Sequence, residues 1–171
     1  MRSLRCWLYT MAGLALSGAT LTWTAGAWVQ ARVARRGARS VLVGTGATLI
    51  ACGIVVVGTV FHGDAPLLLA PAGWAVVGLG MGLAHSTISL TVIEQAPAGA
   101  EGAASASMQL AYVLGVALGA GLGGAAVALV ERGALSPATG FAVAFGIMVL
   151  VALATAVLAR RLPRGMLAAA V

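Results

Sequence analysis

The sequence predicts an all-α protein, a multi-pass transmembrane helical bundle of five spans, and three observations predict it. Five long apolar stretches fill most of the chain: Met11–Val29, Val41–Phe61, Leu67–Ile93, Ala103–Val130 and Phe141–Leu158. Each is close to the roughly 20 residues that cross a bilayer core. None contains Asp, Glu, Lys or Arg, which lipid excludes at a cost of a few kcal/mol per charge. Charged residues are 8% of the chain and hydrophobic residues 61%, so charge is confined to the short joints. Residues 1–171 therefore read as a single integral membrane domain, with the lipid bilayer as its first partner.

The spans differ in polarity. The first is followed by Gln30 and holds Ser17, Thr20, Thr22, Trp23, Thr24 and Trp28. The second and fifth carry little beyond Thr and Cys and are expected to face lipid on most sides. Cys52 reads as a small packing residue within the second. The third holds His85, Ser86, Thr87, Ser89 and Thr91, and the fourth opens with Ser105, Ser107, Gln109 and Tyr112. Polar groups in hydrocarbon need partners or water, so spans one, three and four are expected to face protein or an aqueous cavity.

Arginine placement sets the orientation. All ten basic residues are Arg. Arg32, Arg35, Arg36 and Arg39 crowd the first joint, and Arg160, Arg161 and Arg164 follow the last span. The positive-inside rule puts both clusters in the cytoplasm, which makes this a multi-pass protein of the cell membrane with a cytoplasmic C-terminus. Arg2 and Arg5 then fall on the opposite side. A cleaved signal peptide ending at Ala25-Gly-Ala27 would account for them, but it would send the Arg32–Arg39 cluster outside. The net charge of +6 comes from these membrane-flanking arginines and is not a nucleic-acid footprint.

His85 is the titratable side chain set well inside a span, and such residues are candidates for function. Gly78, Gly82, His85 and Ser89 share a helical face, which suggests an imidazole beside a thinly packed, wet surface. A neutral imidazole bonded to a Ser or a backbone carbonyl is the plainer reading, and both stay open. Gln109 and Tyr112 join His85 and Ser89 as cavity candidates, with interhelical hydrogen bonds as their plainer role. On the other face of the fourth span Ala103, Ser107, Ala111, Gly115, Gly119 and Gly123 recur every four residues. Small residues at that spacing let helices approach closely, so Gly115, Gly119 and Gly123 are helix-packing candidates. A bulky residue at Gly119 is then expected to disturb packing more than one at Val116. Glu94 and Glu101 flank a break at Pro97-Ala-Gly99, and Glu101 is placed to complement a helix N-terminus.

No enzyme signature is present. The chain lacks G-x-S-x-G, H-E-x-x-H, a P-loop and paired carboxylates within one span. Cys6 and Cys52 are isolated, so no metal or redox pair is expected. No catalytic residue and no cofactor is expected.

Three stretches carry a family resemblance. Gly26-Ala-Trp-Val-Gln-Ala-Arg-Val-Ala-Arg-Arg-Gly-Ala-Arg39 is similar to the basic cytoplasmic loop G-x-x-x-D-R-x-G-R-R of major facilitator superfamily transporters. Arg35, Gly37 and Arg39 match, Arg32 precedes them, and Ala34 replaces the Asp. Gly73–Thr87 resembles the tenth helix of the drug-efflux type, and Glu101–Gly115 resembles the eleventh, with Ala103 where an Arg often stands. The resemblance makes the spans helices eight to twelve, the C-terminal part of such a transporter. It implies that the ninth and twelfth are peripheral, that the tenth lines the cavity, and that the eighth and eleventh meet the other half.

The function implied is transmembrane transport, as a fragment or half of an efflux transporter that exchanges a small molecule for protons. The partner would be a missing N-terminal half or a second copy, and the substrate stays unidentified. The alternative is a freestanding small membrane protein that oligomerises or regulates a partner without transporting.

Overall fold

A computed structural model describes residues 2–33, 39–60 and 65–162. They form five long helices: α1 (Arg2–Val33), α2 (Arg39–Thr59), α3 (Leu69–Glu94), α4 (Glu101–Glu131) and α5 (Pro137–Leu158). A 3-10 turn, Ala159–Arg161, closes α5. By length and composition α2, α3, α4 and α5 can each cross a membrane. The first expected span falls within α1, which is long enough at 32 residues but less apolar, given its Ser and Thr content.

The ends follow from local chemistry. Arg39, Glu94, Glu101 and Glu131 all lie in terminal helical turns, so α2, α3 and α4 extend to the charged residues that the expected spans stopped short of. Gly99, at φ +83°, turns the chain into α4, and the Glu101 carboxylate accepts the Gly99 N–H at 3.2 Å. This agrees with the expected role of Glu101 at a helix N-terminus. At the other end Gly133, at φ +71°, lets the Ala134 N–H reach the Leu129 carbonyl at 3.0 Å, a Schellman closure. The α5 helix starts four residues before the expected Phe141. The Ser136 hydroxyl caps it by accepting the Thr139 N–H, and Pro137 suits its first turn.

Packing centres on α3. Its two sides are glycine-lined and meet different neighbours. Gly78 and Gly82 face α1: a Cβ on Gly78 would collide with the Ala19 carbonyl, and one on Gly82 with the Trp23 carbonyl. Gly26 answers from α1, with the Leu79 oxygen 2.5 Å from where its Cβ would stand. Gly73 and Gly80 face α2, where Gly53 and Gly46 answer them. The Gly46–Gly80 and Gly53–Gly73 pairs place each carbonyl oxygen 2.5–2.8 Å from the partner's missing Cβ. Backbone thus lies on backbone, the geometry of Cα–H···O contacts. Paired positions rise together between α1 and α3 and run oppositely between α2 and α3. The α5 helix packs antiparallel on α2, and α4 touches α5 and, more lightly, α3.

Several expectations need correction. The Gly78–Gly82 face is not thinly packed or wet; it is pressed onto the α1 backbone. The second span is more enclosed within this chain than its apolar composition implied, because α2 buries Leu42, Val43, Gly46, Ala47, Ala51, Gly53 and Val57. Cys52 is exposed rather than packed. Among the described residues α4 has none buried, and a Cβ on Gly115, Gly119 or Gly123 would find open space, so these glycines make no close helix contact there. Among the described residues the backbone-on-backbone glycine contacts are those of α1, α2 and α3, whose spacing is less regular.

The hydroxyl groups find their hydrogen-bond acceptors within their own helices. Thr22, Thr24, Thr87, Thr91 and Ser107 each donate to a carbonyl four residues back on their own helix, at 2.7–3.0 Å. That bond satisfies the polar atom locally. Thr87 and Thr91 are nonetheless buried and Thr22 packs against Gly78, so α1 and α3 turn these residues toward protein as expected, whereas Thr24 and Ser107 are exposed.

The glycine contacts yield a direct prediction. Gly82→Ala should cost about 2–3 kcal/mol, the upper end for overpacking, because the obstruction is backbone that cannot rotate away. Gly119→Ala in the same chain should be close to neutral. Thermal unfolding in detergent checks this; equal midpoints for the two variants would refute the packing described.

Candidate functional site

The tight α1–α3 contact brings three aromatic rings together from three helices. Trp23 lies one turn from Gly26 on α1, and His85 one turn from Gly82 on α3. Their ring centroids are 5.9 Å apart, edge to face at 72°. On the other side His85 meets Tyr112 of α4, with centroids 5.4 Å apart and planes tilted by 57°. All three residues are half-buried. His85 is held by ring contacts; among the described residues it makes no hydrogen bond to a Ser or to a backbone carbonyl.

Of the four cavity candidates read from the sequence, the fold brings His85 and Tyr112 into contact. Ser89 is half-buried one turn further along α3, and Gln109 is exposed one turn before Tyr112. Trp23 was not among the candidates, although it completes the cluster. Its signal in the sequence was a Trp in mid-span three residues before a glycine. Together the three side chains offer two apolar ring faces, a phenol hydroxyl and an imidazole that can donate, accept or carry a proton. Among the described residues no cluster of metal ligands occurs.

A second group of residues sits at the arginine-rich end. Arg39, buried at the start of α2, forms an ion pair and hydrogen bond with Glu94 at the end of α3. The Arg32 guanidinium lies over the Trp28 ring, 3.0 Å from its centroid. Arg35 and Gly37 lie outside the described residues. Sequence reading noted Glu94 as a helix flank without pairing it to Arg39, 55 positions away.

A family model described as "Sugar (and other) transporter" matches residues 11–164. The chain belongs to that family. No curated protein and no solved structure matches it. A sugar (and other) transporter is a membrane transporter of the major facilitator kind, so transport is the class of activity, and the family is not one of enzymes. The expected superfamily stands; the family model is the broad sugar (and other) one rather than the drug-efflux type.

Breaking the Arg39–Glu94 pair should be costly, because a buried guanidinium would lose its partner. Glu94 is 40% exposed, so the penalty is discounted to about 2 kcal/mol for Glu94→Gln. Glu94→Arg combined with Arg39→Glu should recover part of that loss. Thermal unfolding of the single and double variants in detergent is the check, and additive losses would show that the pair carries no coupling.

Proposed function

We propose that this transporter chain forms the C-terminal bundle of a proton-coupled small-molecule exporter, and that Trp23, His85 and Tyr112 contribute its substrate surface. The observation that carries the reading is the convergence of those rings from α1, α3 and α4. Ser89 and Gln109 extend the same surface along α3 and α4. His85, as an intramembrane imidazole, is the group we assign to proton exchange. The similarity of Gly73–Thr87 and Glu101–Gly115 to helices of drug-efflux transporters supports the export direction.

A second bundle completes the path in this reading. Its seat is α4, whose Leu110, Leu114 and Leu118 are more than 60% exposed and whose Gly115, Gly119 and Gly123 lie open. Small residues there would admit a close helix from a partner bundle, either an N-terminal half or a second copy. Substrate then lies between the bundles near the midplane, as in other secondary transporters. The arginine-rich end is assigned to the cytoplasm, with the C-terminus there.

The test uses everted membrane vesicles from cells expressing the chain in its natural genomic context. Lipophilic cations and sugars are added to vesicles holding an imposed proton gradient. Lipophilic cations should collapse the gradient, and His85→Gln should remove most of that effect while the protein remains in the membrane. Sugar-driven proton movement in place of the cation response would overturn the efflux assignment. An unaltered response in the His85→Gln protein would remove His85 from the mechanism.

A further inference from the structure

Two grooves run along the outer surface of the bundle, and their ends carry opposite charge. The groove between α4 and α5, about 270 Å³, is walled by Val127, Phe141, Ala144 and Phe145 and ends on Glu131. The groove between α2 and α5, about 580 Å³, is lined by Ser40, Gly44 and Thr48 on one wall and Leu153, Val157 and Arg160 on the other. Gly44 opens this second groove: its missing Cβ would stand 3.8 Å from the Ala156 oxygen, so the helices touch there without filling the space outside. Thr48 donates its hydroxyl to the Gly44 carbonyl at 2.8 Å, so its polar atom is already satisfied by its own helix.

The mouth of the α2–α5 groove is cationic. Arg160 is exposed there and, among the described residues, has no ion-pair partner, whereas the neighbouring Arg39 is occupied by Glu94. Ser40 lies in the first turn of the 21-residue α2, where backbone N–H groups have no intrahelical acceptor and the helix dipole is positive. Among the described residues no carboxylate lines this groove. A ligand seated in it needs an apolar chain for the Leu153–Val157 wall and an anion at the Arg160 end. The described lining offers no anion to hold a choline or ethanolamine ammonium.

From this we infer that the α2–α5 groove is a binding site for an anionic phospholipid, with one acyl chain along Leu153 and Val157 and the phosphodiester held by Arg160 and the first turn of α2. The α4–α5 groove, ending on a carboxylate, has the wrong sign for such a lipid and serves as the internal contrast. The inference needs the chain to lie in a membrane but does not depend on which substrate it moves.

Native mass spectrometry of the purified full chain, in detergent with equal phosphatidylglycerol and phosphatidylcholine, tests it. Phosphatidylglycerol should be retained about five-fold over phosphatidylcholine, the effect of one arginine at a membrane surface. Arg160→Gln should bring that ratio close to one. Arg161→Gln, exposed and next in sequence but outside the groove, should leave the ratio unchanged. Thr48→Trp, which fills the groove from an exposed position, should lower retention of both lipids. Were Arg160→Gln to lose helical content by circular dichroism, Arg160→Lys takes its place and should keep the preference. A wild-type ratio near one would overturn the inference. So would an equal loss with Arg161→Gln, which would mean surface charge rather than a groove.

Discussion

Backbone-on-backbone contact along α3 is the constraint on which the rest of this bundle depends. In hydrocarbon there is no water to drive helices together, so association rests on close van der Waals approach. Gly78 and Gly82 permit it toward α1, and Gly73 and Gly80 permit it toward α2. Any side chain at these four positions would have to displace a carbonyl group. The two glycine-lined sides make α3 the shared wall of both neighbours. The ion pair at its far end, Arg39 to Glu94, ties α2 to the same helix where the apolar contact runs out.

The candidate site follows from that packing. Trp23 reaches His85 because Gly26 and Gly82 bring α1 and α3 together just beside them. Tyr112 comes from α4, a helix held far more loosely and with no buried residue. The cluster thus has two members fixed by backbone contact and one carried by a more exposed helix. Membership of the sugar (and other) transporter family makes membrane transport the context of that arrangement.

Much of this was legible in the sequence. The five helices were, because the exclusion of charge from long apolar runs leaves few other solutions in 171 residues. His85 and Tyr112 were both singled out in the sequence, and the fold brings their rings into contact. The packing surfaces were not. The regular four-residue recurrence of small residues in α4 outshone the contacts that exist within the chain, where Gly73 and Gly80 are seven apart and Gly78 and Gly82 four apart on another side. Spacing tells which glycines share a face, but not which face has a neighbour. The threonines were legible in part: Thr87 and Thr91 are buried as expected, but their hydroxyls bond four residues back on their own helix and not to a neighbour. Arg39 and Glu94 lie too far apart in sequence for their pairing to be read without the fold.

The α1–α3 contact is the central claim, and one measurement tests it most directly. The Cβ that Gly18 lacks would stand 4.0 Å from the Ala75 Cβ, within the roughly 3.5–4.5 Å that a disulfide spans. In a chain with Cys6 and Cys52 replaced by serine, Gly18→Cys together with Ala75→Cys should cross-link under mild oxidation. Mass spectrometry of the digest reads the product. Leu16→Cys with Ala75→Cys, using a residue that is 74% exposed, should not cross-link. Failure of the first pair in folded protein, or equal yield from the second, would contradict the account.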